Sequence, residues 1–313
     1  MNYRRLGRTG LKVSEISLGS WLTYGNSVED NTAEKIIHKA YDLGINFFDS
    51  ANMYGLGEGE KVMAQALKAY PRESYVITTK AFWPMGDGPN DRGLSRKHVF
   101  EQVHSSLKRM DLDYVDIFYC HRYDPETPVE ETLRVIDDLI RQGKILYAGV
   151  SEWSAAQIEE AVRIADKYLL DRIVVNQPQY NMLDRRIESE IIPVSDKYGI
   201  GQVVFSPLAQ GVLTGKYLNG IPENSRAANE DINIFVKHML NDDVLNKVRQ
   251  LDGVAKELDT TLPALAIAWI LRQPSVASAI VGASRPEQIE ANVEGAKLKL
   301  STEIIEKIDE ILK

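Results

Sequence analysis

The chain holds a single cysteine, Cys120, among 313 residues. No disulfide framework can be built within it, no Cys/His cluster has the spacing of a zinc site, and scarce cysteine suits a reducing compartment. No apolar run is long enough to span a bilayer. The opening stretch "MNYRRLGRTGLKVSE" lacks the apolar core of a secretory signal. A soluble, cytoplasmic protein with no metal and no stable membrane insertion is expected. Basic charge is also short: 37 Lys and Arg stand against 45 Asp and Glu, giving a net charge of −8 and a pI near 5.3. An acidic balance makes nucleic acid a poor expected partner. Also missing are low-complexity tracts, domain linkers and internal repeats beyond a strand–helix unit. What is present is ordinary globular composition, 44% hydrophobic and 26% charged, with one domain expected over 1–313.

Short apolar, β-branched or aromatic runs recur along the chain. They are "EISLGS" (15–20), "INFFDS" (45–50), "YVITTK" (75–80), "YVDIFYCH" (114–121), "ILYAGVS" (145–151), "RIVVNQP" (172–178), "GQVVFSP" (201–207) and "SAIVGAS" (278–284). Each reads as a buried strand. Amphipathic segments lie between them, among them "NTAEKIIHKAYDLG", "SRKHVFEQVHSSLKRM", "PVEETLRVIDDLIRQG" and "SAAQIEEAVRIADKY". Several open on Ser, Asn or Pro and close on Gly, as helices do. Eight strands alternating with helices predict an α/β fold of the (β/α)8, or TIM-barrel, type. A doubly wound sheet is the rival, but the first strand runs into "GSWLTYGN", which is not a phosphate loop. An N-terminal β-hairpin around Arg8-Thr9-Gly10 is expected to close the bottom of the barrel. Long loops follow strand three (81–94) and strand seven (208–236), on the face where such barrels keep active sites.

That face collects the reactive residues. Asp49, Lys80 and His121 end strands two, three and four, which are neighbours in a barrel, and Tyr54 stands in the turn after strand two. A buried aspartate needs a positive partner, and Lys80 is the candidate. A free phenol has a pKa near 10, which a nearby ammonium lowers by roughly one to three units. The set suits donation of a proton to a carbonyl oxygen; no serine or cysteine nucleophile stands out for acyl transfer. An anion site is expected where "VGASRPEQIEAN" (281–292) enters a helix at Pro286, with Ser284 and Arg285 beside free backbone N–H groups. Lys216 and Arg226, in the loop after strand seven, are placed to close over the same anion. "GLGEGE" (55–60) is a weak match to a dinucleotide loop, since its sixth place is Glu60; its glycines more simply shape a helix entry. His38, His98 and His104 lie in charged helices and read as solvated. Trp21, Tyr24, Phe82 and Trp83 either line a substrate pocket or pack under loops. Cys120 and His121 are strand neighbours and face opposite ways.

The series "FFDSANMYG", "VITTK", "YCHR", "GVSEWS", "NQPQYN", "FSPLAQGVLTGKY" and "VGASRPEQIEAN" resembles the aldo/keto reductases over nearly the whole chain. "RGLSRKHV", "TPVEETLRVIDDLIRQGK" and "TLPALAIAWILR" are most similar to the branch of voltage-gated potassium channel β subunits and their bacterial relatives. The resemblance implies NADPH-dependent reduction of aldehydes or ketones, with a catalytic tetrad of Asp49, Tyr54, Lys80 and His121 and Tyr54 as general acid. It implies that Ser151 and Gln177 hold the carboxamide of NADP and that Phe205 stacks on its nicotinamide ring. Ser206, Leu208, Lys216, Arg226, Gly282, Ser284, Gln288 and Asn292 would follow the pyrophosphate and adenosine, and Ser20 and Trp21 would lie beside the ribose and the substrate. Lys216, Arg226, Ser284 and Arg285 favour NADP over NAD through its additional phosphate. The chain departs from the pattern at Glu152, where much of the family has Asn and the channel subunits have Arg. It departs again at Ala291, which replaces a frequent acid, and the channel subunits carry Asn where this chain has His121. The resemblance allows a homo-oligomer, a tetramer or an octamer, without requiring one. The expected partner is a small-molecule carbonyl substrate. The alternative is a nucleotide-sensing regulatory subunit with little turnover.

Overall fold

The structure is a computed structural model that describes residues 1–21, 30–223, 225–230 and 232–313. Two short strands, β1 (Tyr3–Arg5) and β2 (Lys12–Ser14), pair antiparallel with Arg4 opposite Val13. Their turn is tied by Leu6 N–H to Leu11 O at 2.9 Å. Eight strands follow: β3 (Ile16–Gly19), β4 (Phe47–Asp49), β5 (Val76–Ala81), β6 (Val115–Cys120), β7 (Ile145–Ser151), β8 (Ile173–Gln177), β9 (Gly201–Val204) and β10 (Val276–Val281). They pair in parallel, in chain order, and β10 closes onto β3. The expected (β/α)8 barrel is therefore the observed fold, with each of the eight runs at its expected place and ends shifted by a few residues.

Ten helices accompany the strands among the described residues: α1 (Asp30–Asp42), α2 (Glu58–Leu67), α3 (Arg96–Met110), α4 (Val129–Arg141), α5 (Ala155–Tyr168), α6 (Ile191–Tyr198), α7 (Asp242–Glu257), α8 (Leu262–Leu271), α9 (Pro286–Gly295) and α10 (Thr302–Leu312). Local chemistry sets their ends. Ser154 and Gln157 form a reciprocal capping box at the start of α5, which satisfies two otherwise orphaned backbone donors. Ser95 caps α3, and Asp111 ends it in a left-handed conformation at φ 55°. Helix α4 buries Leu133, Ile136 and Leu139 on one side and exposes Arg134 on the other. Helix α8 is apolar all round and buried at every residue but Pro263, as a helix enclosed by neighbours must be.

Two cores result. The larger lies between strands and helices and includes Phe48, Ile77, Phe118, Cys120 and Val150. The smaller fills the barrel with Phe47, Val76, Ile117, Tyr119, Val175 and Val203, and Leu6 of the hairpin joins it. The hairpin closes the bottom as expected. Arg8 N–H donates to Gly199 O at 2.8 Å. Arg4 binds Glu15 at 2.6 Å and the carbonyls of Leu271, Gln273 and Val276. Gly7, at φ +56°, lies so close to Gly199 and Gly201 that a Cβ there would stand 2.3 Å from a carbonyl oxygen.

Candidate active site

The inward positions of the strands project a second-residue rhythm toward the other end of the barrel. Phe47 is followed on its face by Asp49, Val76 by Thr78 and Lys80, Ile117 by Tyr119 and His121, and Val175 by Gln177. At the bottom these positions are apolar and fill the interior; at the top they become polar and converge. Lys80 is fully buried and Asp49 nearly so. Lys80 Nζ donates to Asp49 Oδ2 at 2.5 Å and to Ser50 O at 2.8 Å, and lies 3.4 Å from the Tyr54 hydroxyl. Thr78 Oγ1 and Gln177 Nε2 both donate to Asp49 Oδ1 at 2.8 Å. The aspartate is thus held by three donors on two other strands, β5 and β8. The Tyr54 and His121 rings stand edge to face with centroids 5.7 Å apart. The four residues expected to gather do gather.

The protonation states follow from burial and charge. Burial of the Tyr54 hydroxyl pushes its pKa up; Lys80 pulls it down, Asp49 adds to the rise, and the balance lies above the ordinary phenol value. This differs from the expected lowering, because desolvation of the phenolate outweighs the cation. Burial works against the Lys80 ammonium, but Asp49 and then Tyr54 overcome it and hold its pKa above the ordinary value. Burial, Lys80 and Arg122 together hold His121 well below its usual range, so its imidazole is neutral at pH 7. Its Nδ1 is buried without a hydrogen-bond partner among the described residues. Cys120 faces outward into the strand–helix layer, its thiol pushed up to about 12 by burial.

The loops complete the rim. Tyr54 begins a short turn in which Gly55, Leu56 and Gly57 take positive φ. Gly57 caps α2 beneath Arg109, so "GLGEGE" shapes a helix entry. The loop after β5 places Trp83 with its ring centroid 6.3 Å from His121, while the Phe82 ring meets Trp83 and packs against the outer core. Trp21 stands edge-on to Phe235, centroids 5.1 Å apart, so the loop after β9 reaches across to the end of β3. Tyr24 lies outside the described residues. His98 corrects an expectation. It is buried, not solvated, because the position lies in the first turn of α3, beside Asn90 and Asp124; burial lowers its pKa.

The residues expected to hold a dinucleotide fall into two groups. The first adjoins the tetrad. Ser151 Oγ donates to Gln177 O at 2.9 Å, and both residues are buried at the ends of paired strands. Ser20 is buried at the end of β3, its Oγ 2.9 Å from that of Ser50, and Phe205 is half-buried over the barrel interior. The second group lies farther out. Ser206 has φ 54° and accepts from Gln210 at 2.5 Å, and Leu208 precedes a run in which Ala209, Gln210 and Gly211 all have positive φ. Arg226 donates to Gln210. Lys216 lies over Gly211. Among the described residues neither cation pairs with a carboxylate, and partial burial followed by the charge of Arg226 depresses Lys216. Two unneutralised cations in one loop fit an anionic ligand. Past β10, Gly282 and Ser284 are exposed, Gln288 accepts from the Ser284 backbone N–H at 2.8 Å, and Asn292 is buried within α9. Glu152, at φ 58°, accepts from the Gln179 backbone N–H at 2.6 Å and from Arg186 at 2.5 Å.

Two contributors are absent from the sequence expectations, and Gln177 has a second role. Thr78 was findable by counting back two from Lys80. Gln177 was assigned to the cofactor, yet its amide also grips Asp49. Arg122 stood inside "YCHR", and its place directly after a strand-ending histidine was the available signal.

Residues 15–313 match the model of the aldo/keto reductase family. A protein of Arabidopsis thaliana named probable voltage-gated potassium channel subunit beta is 46% identical over 318 residues, covering 100% of this chain and 97% of the relative. Its counterpart from Oryza sativa subsp. japonica is 45% identical over 318 residues, with the same coverage. A putative voltage-gated potassium channel subunit beta of Schizosaccharomyces pombe is 47% identical over 319 residues, 99% of this chain and 93% of the relative. The chain belongs to the aldo/keto reductase family.

Proposed function

We propose that the protein is an NADPH-dependent oxidoreductase that reduces aldehydes or ketones to alcohols. The observation that carries this reading is one buried ammonium, Lys80 Nζ, held 2.5 Å from Asp49 Oδ2 and 3.4 Å from the Tyr54 hydroxyl. Bound NADPH would supply a hydride, and with it two electrons, to the carbonyl carbon. Tyr54 acts as general acid and gives its proton to the carbonyl oxygen as charge develops there. Its raised pKa keeps it protonated, and so competent as an acid, through neutral pH. Lys80 stabilises the phenolate left behind, and Asp49, braced by Thr78 and Gln177, keeps the ammonium in place. His121, neutral at pH 7, hydrogen-bonds the same oxygen without adding another positive charge to the site. A solvent proton then restores Tyr54, so that the carbonyl gains one hydride and one proton in all.

The cofactor roles follow the two groups of residues. Ser151 and Gln177 would hold the carboxamide, with Phe205 against the ring. Lys216, Arg226, Ser284 and Arg285 would meet the phosphates, which favours NADP over NAD. The same reading takes residues 1–313 as one catalytic unit working in the cytoplasm, with oxidation of an alcohol as the reverse of the same chemistry.

A second reading, a nucleotide-sensing regulatory subunit with little turnover, is favoured by the names of the Arabidopsis, rice and fission yeast relatives. One assay separates the two: NADPH oxidation against a panel of aldehydes, ketones and quinones, with NADH as control. Turnover with NADPH, at least about tenfold faster than with NADH, is expected, a preference of the size one charge-assisted phosphate contact supplies. Tight NADPH binding without turnover of any carbonyl would move the conclusion to the second reading.

A further inference from the structure

Arg122 follows His121 directly at the end of β6. Its guanidinium is half-buried. One nitrogen, Nη1, donates to the His121 backbone oxygen at 2.5 Å and lies 3.4 Å from Ser151 Oγ. The guanidinium carbon stands 5.7 Å from the centroid of Trp83, the ring that also faces the His121 imidazole. Arg122 is therefore in the wall around the reacting oxygen, between the loop after β5 and the end of β7.

Among the described residues no carboxylate pairs with it. The acid whose charge reaches it, Glu152, is committed to Arg186 and to the Gln179 backbone N–H. A partly desolvated cation without a paired carboxylate, with the charge of Arg186 also acting against it, is unfavourable, and the cost is relieved when an anion arrives. The anionic parts of a dinucleotide are allotted to Lys216, Arg226 and the start of α9, and its nicotinamide end carries a neutral amide. The anion at Arg122 must then belong to the substrate.

We infer that Arg122 receives an anionic substituent of the substrate, so that the preferred substrates are carbonyl compounds bearing a carboxylate or phosphate a few bonds from the reacting carbon. The inference rests on the carbonyl-reductase reading above and narrows it. A guanidinium presents paired N–H donors that match both oxyanions, and among the described residues Nη1 alone of its nitrogens is engaged in hydrogen bonds. The site thus keeps donors for a ligand while holding the side chain in place.

Two substrate pairs test this: para-carboxybenzaldehyde against its methyl ester, and glyceraldehyde phosphate against glyceraldehyde. Wild type should favour the charged member of at least one pair by about tenfold or more in kcat/KM, carried mainly by KM; which pair does so identifies the anion. Arg122→Gln should bring that ratio near one, Arg122→Lys should keep part of it, and added salt should shrink it in wild type. A wild-type ratio near one for both pairs, or a ratio unmoved by Arg122→Gln, would overturn the inference. Equal losses on charged and neutral substrates would do the same, since they would mean that Arg122 acts only on the field at Tyr54 and His121. If no carbonyl were reduced at all, the reductase reading would fail. Titration of tryptophan fluorescence with para-carboxybenzaldehyde and its ester, in wild type and Arg122→Gln, would still decide the anion site.

Discussion

Two arginines at opposite ends of one barrel divide its labour. Arg4, at the bottom, spends its guanidinium on Glu15 and three backbone carbonyls. Arg122, at the top, is held through one nitrogen and pairs with no described carboxylate. The turns near each arginine differ in their backbone as well. Where the hairpin closes the bottom, left-handed conformations fall on Gly7 and Gly199, where they cost little. In the turns after β7 and β9 they fall on Glu152, Ser206, Ala209 and Gln210, residues that adopt them only when the surroundings impose them. Arg4 and the hairpin glycines serve to close the bottom. The top keeps donors, charge and strained turns in reserve, and reserve capacity of this kind is what a ligand can use.

The sharpest test of the division compares one oxygen with one whole side chain. Tyr54→Phe removes only the proposed acid, while Lys80 keeps its bonds to Asp49 and Ser50. Carbonyl reduction should fall at least about a hundredfold, roughly 2.7 kcal/mol in barrier, with NADPH affinity and Tm near wild type. Turnover at the wild-type rate would remove Tyr54 from the mechanism. Arg4→Met should behave in the opposite way. It leaves Glu15, whose side chain is 8% exposed, without its cation, and it frees three carbonyls at the base of β10. Stability should drop by about 2 kcal/mol, a figure reduced from the fully buried case because the Arg4 side chain is 26% exposed. The turnover of the folded fraction should be unchanged; a kinetic defect at 25 °C, below the unfolding transition, would show that the two ends are coupled.

The bottom and the barrel were easier to read from sequence than the top, for a physical reason. Strand identity follows from burial on both faces, and runs such as "YVITTK" and "YVDIFYCH" state it directly. The same alternation that made Phe47, Val76 and Ile117 inward made Asp49, Lys80 and His121 converge, so the tetrad was legible as geometry. Strand ends were less so. β9 stops at Val204 because the chain turns through Phe205, Ser206 at φ 54° and Pro207, which no apolar pattern announces. His98 was misread because its helix is charged, and burial there depends on a loop packed from elsewhere. The acidity of Tyr54 was misjudged because it depends on how far burial outweighs one ammonium, and burial of a turn residue is not written in its neighbours. Arg122 was passed over because an exposed arginine and an unpaired one look the same in a string of letters.

The smallest expected effect concerns acid. His121 is neutral in the folded protein because burial, Lys80 and Arg122 all oppose its protonation. In the unfolded chain an imidazole titrates near 6.5. Below that pH the unfolded state binds a proton that the folded state refuses, so stability falls as pH drops from 7 toward 5. The contribution is fully present above the unfolded value and is lost with acidification, the direction proper to a lowered folded pKa. His121→Asn removes this sensitivity, and His98, which shares the direction, remains in both proteins as a common background. Between pH 7 and 5 the wild-type Tm should fall further than that of the variant, by about 2 °C. Absolute stability does not enter, because the reading is a difference of slopes. Parallel slopes would mean that the His121 imidazole takes up its proton within the fold, and the neutral hydrogen-bonding role proposed for it would then fail together with the claim that charge at the top is held in reserve against protonation.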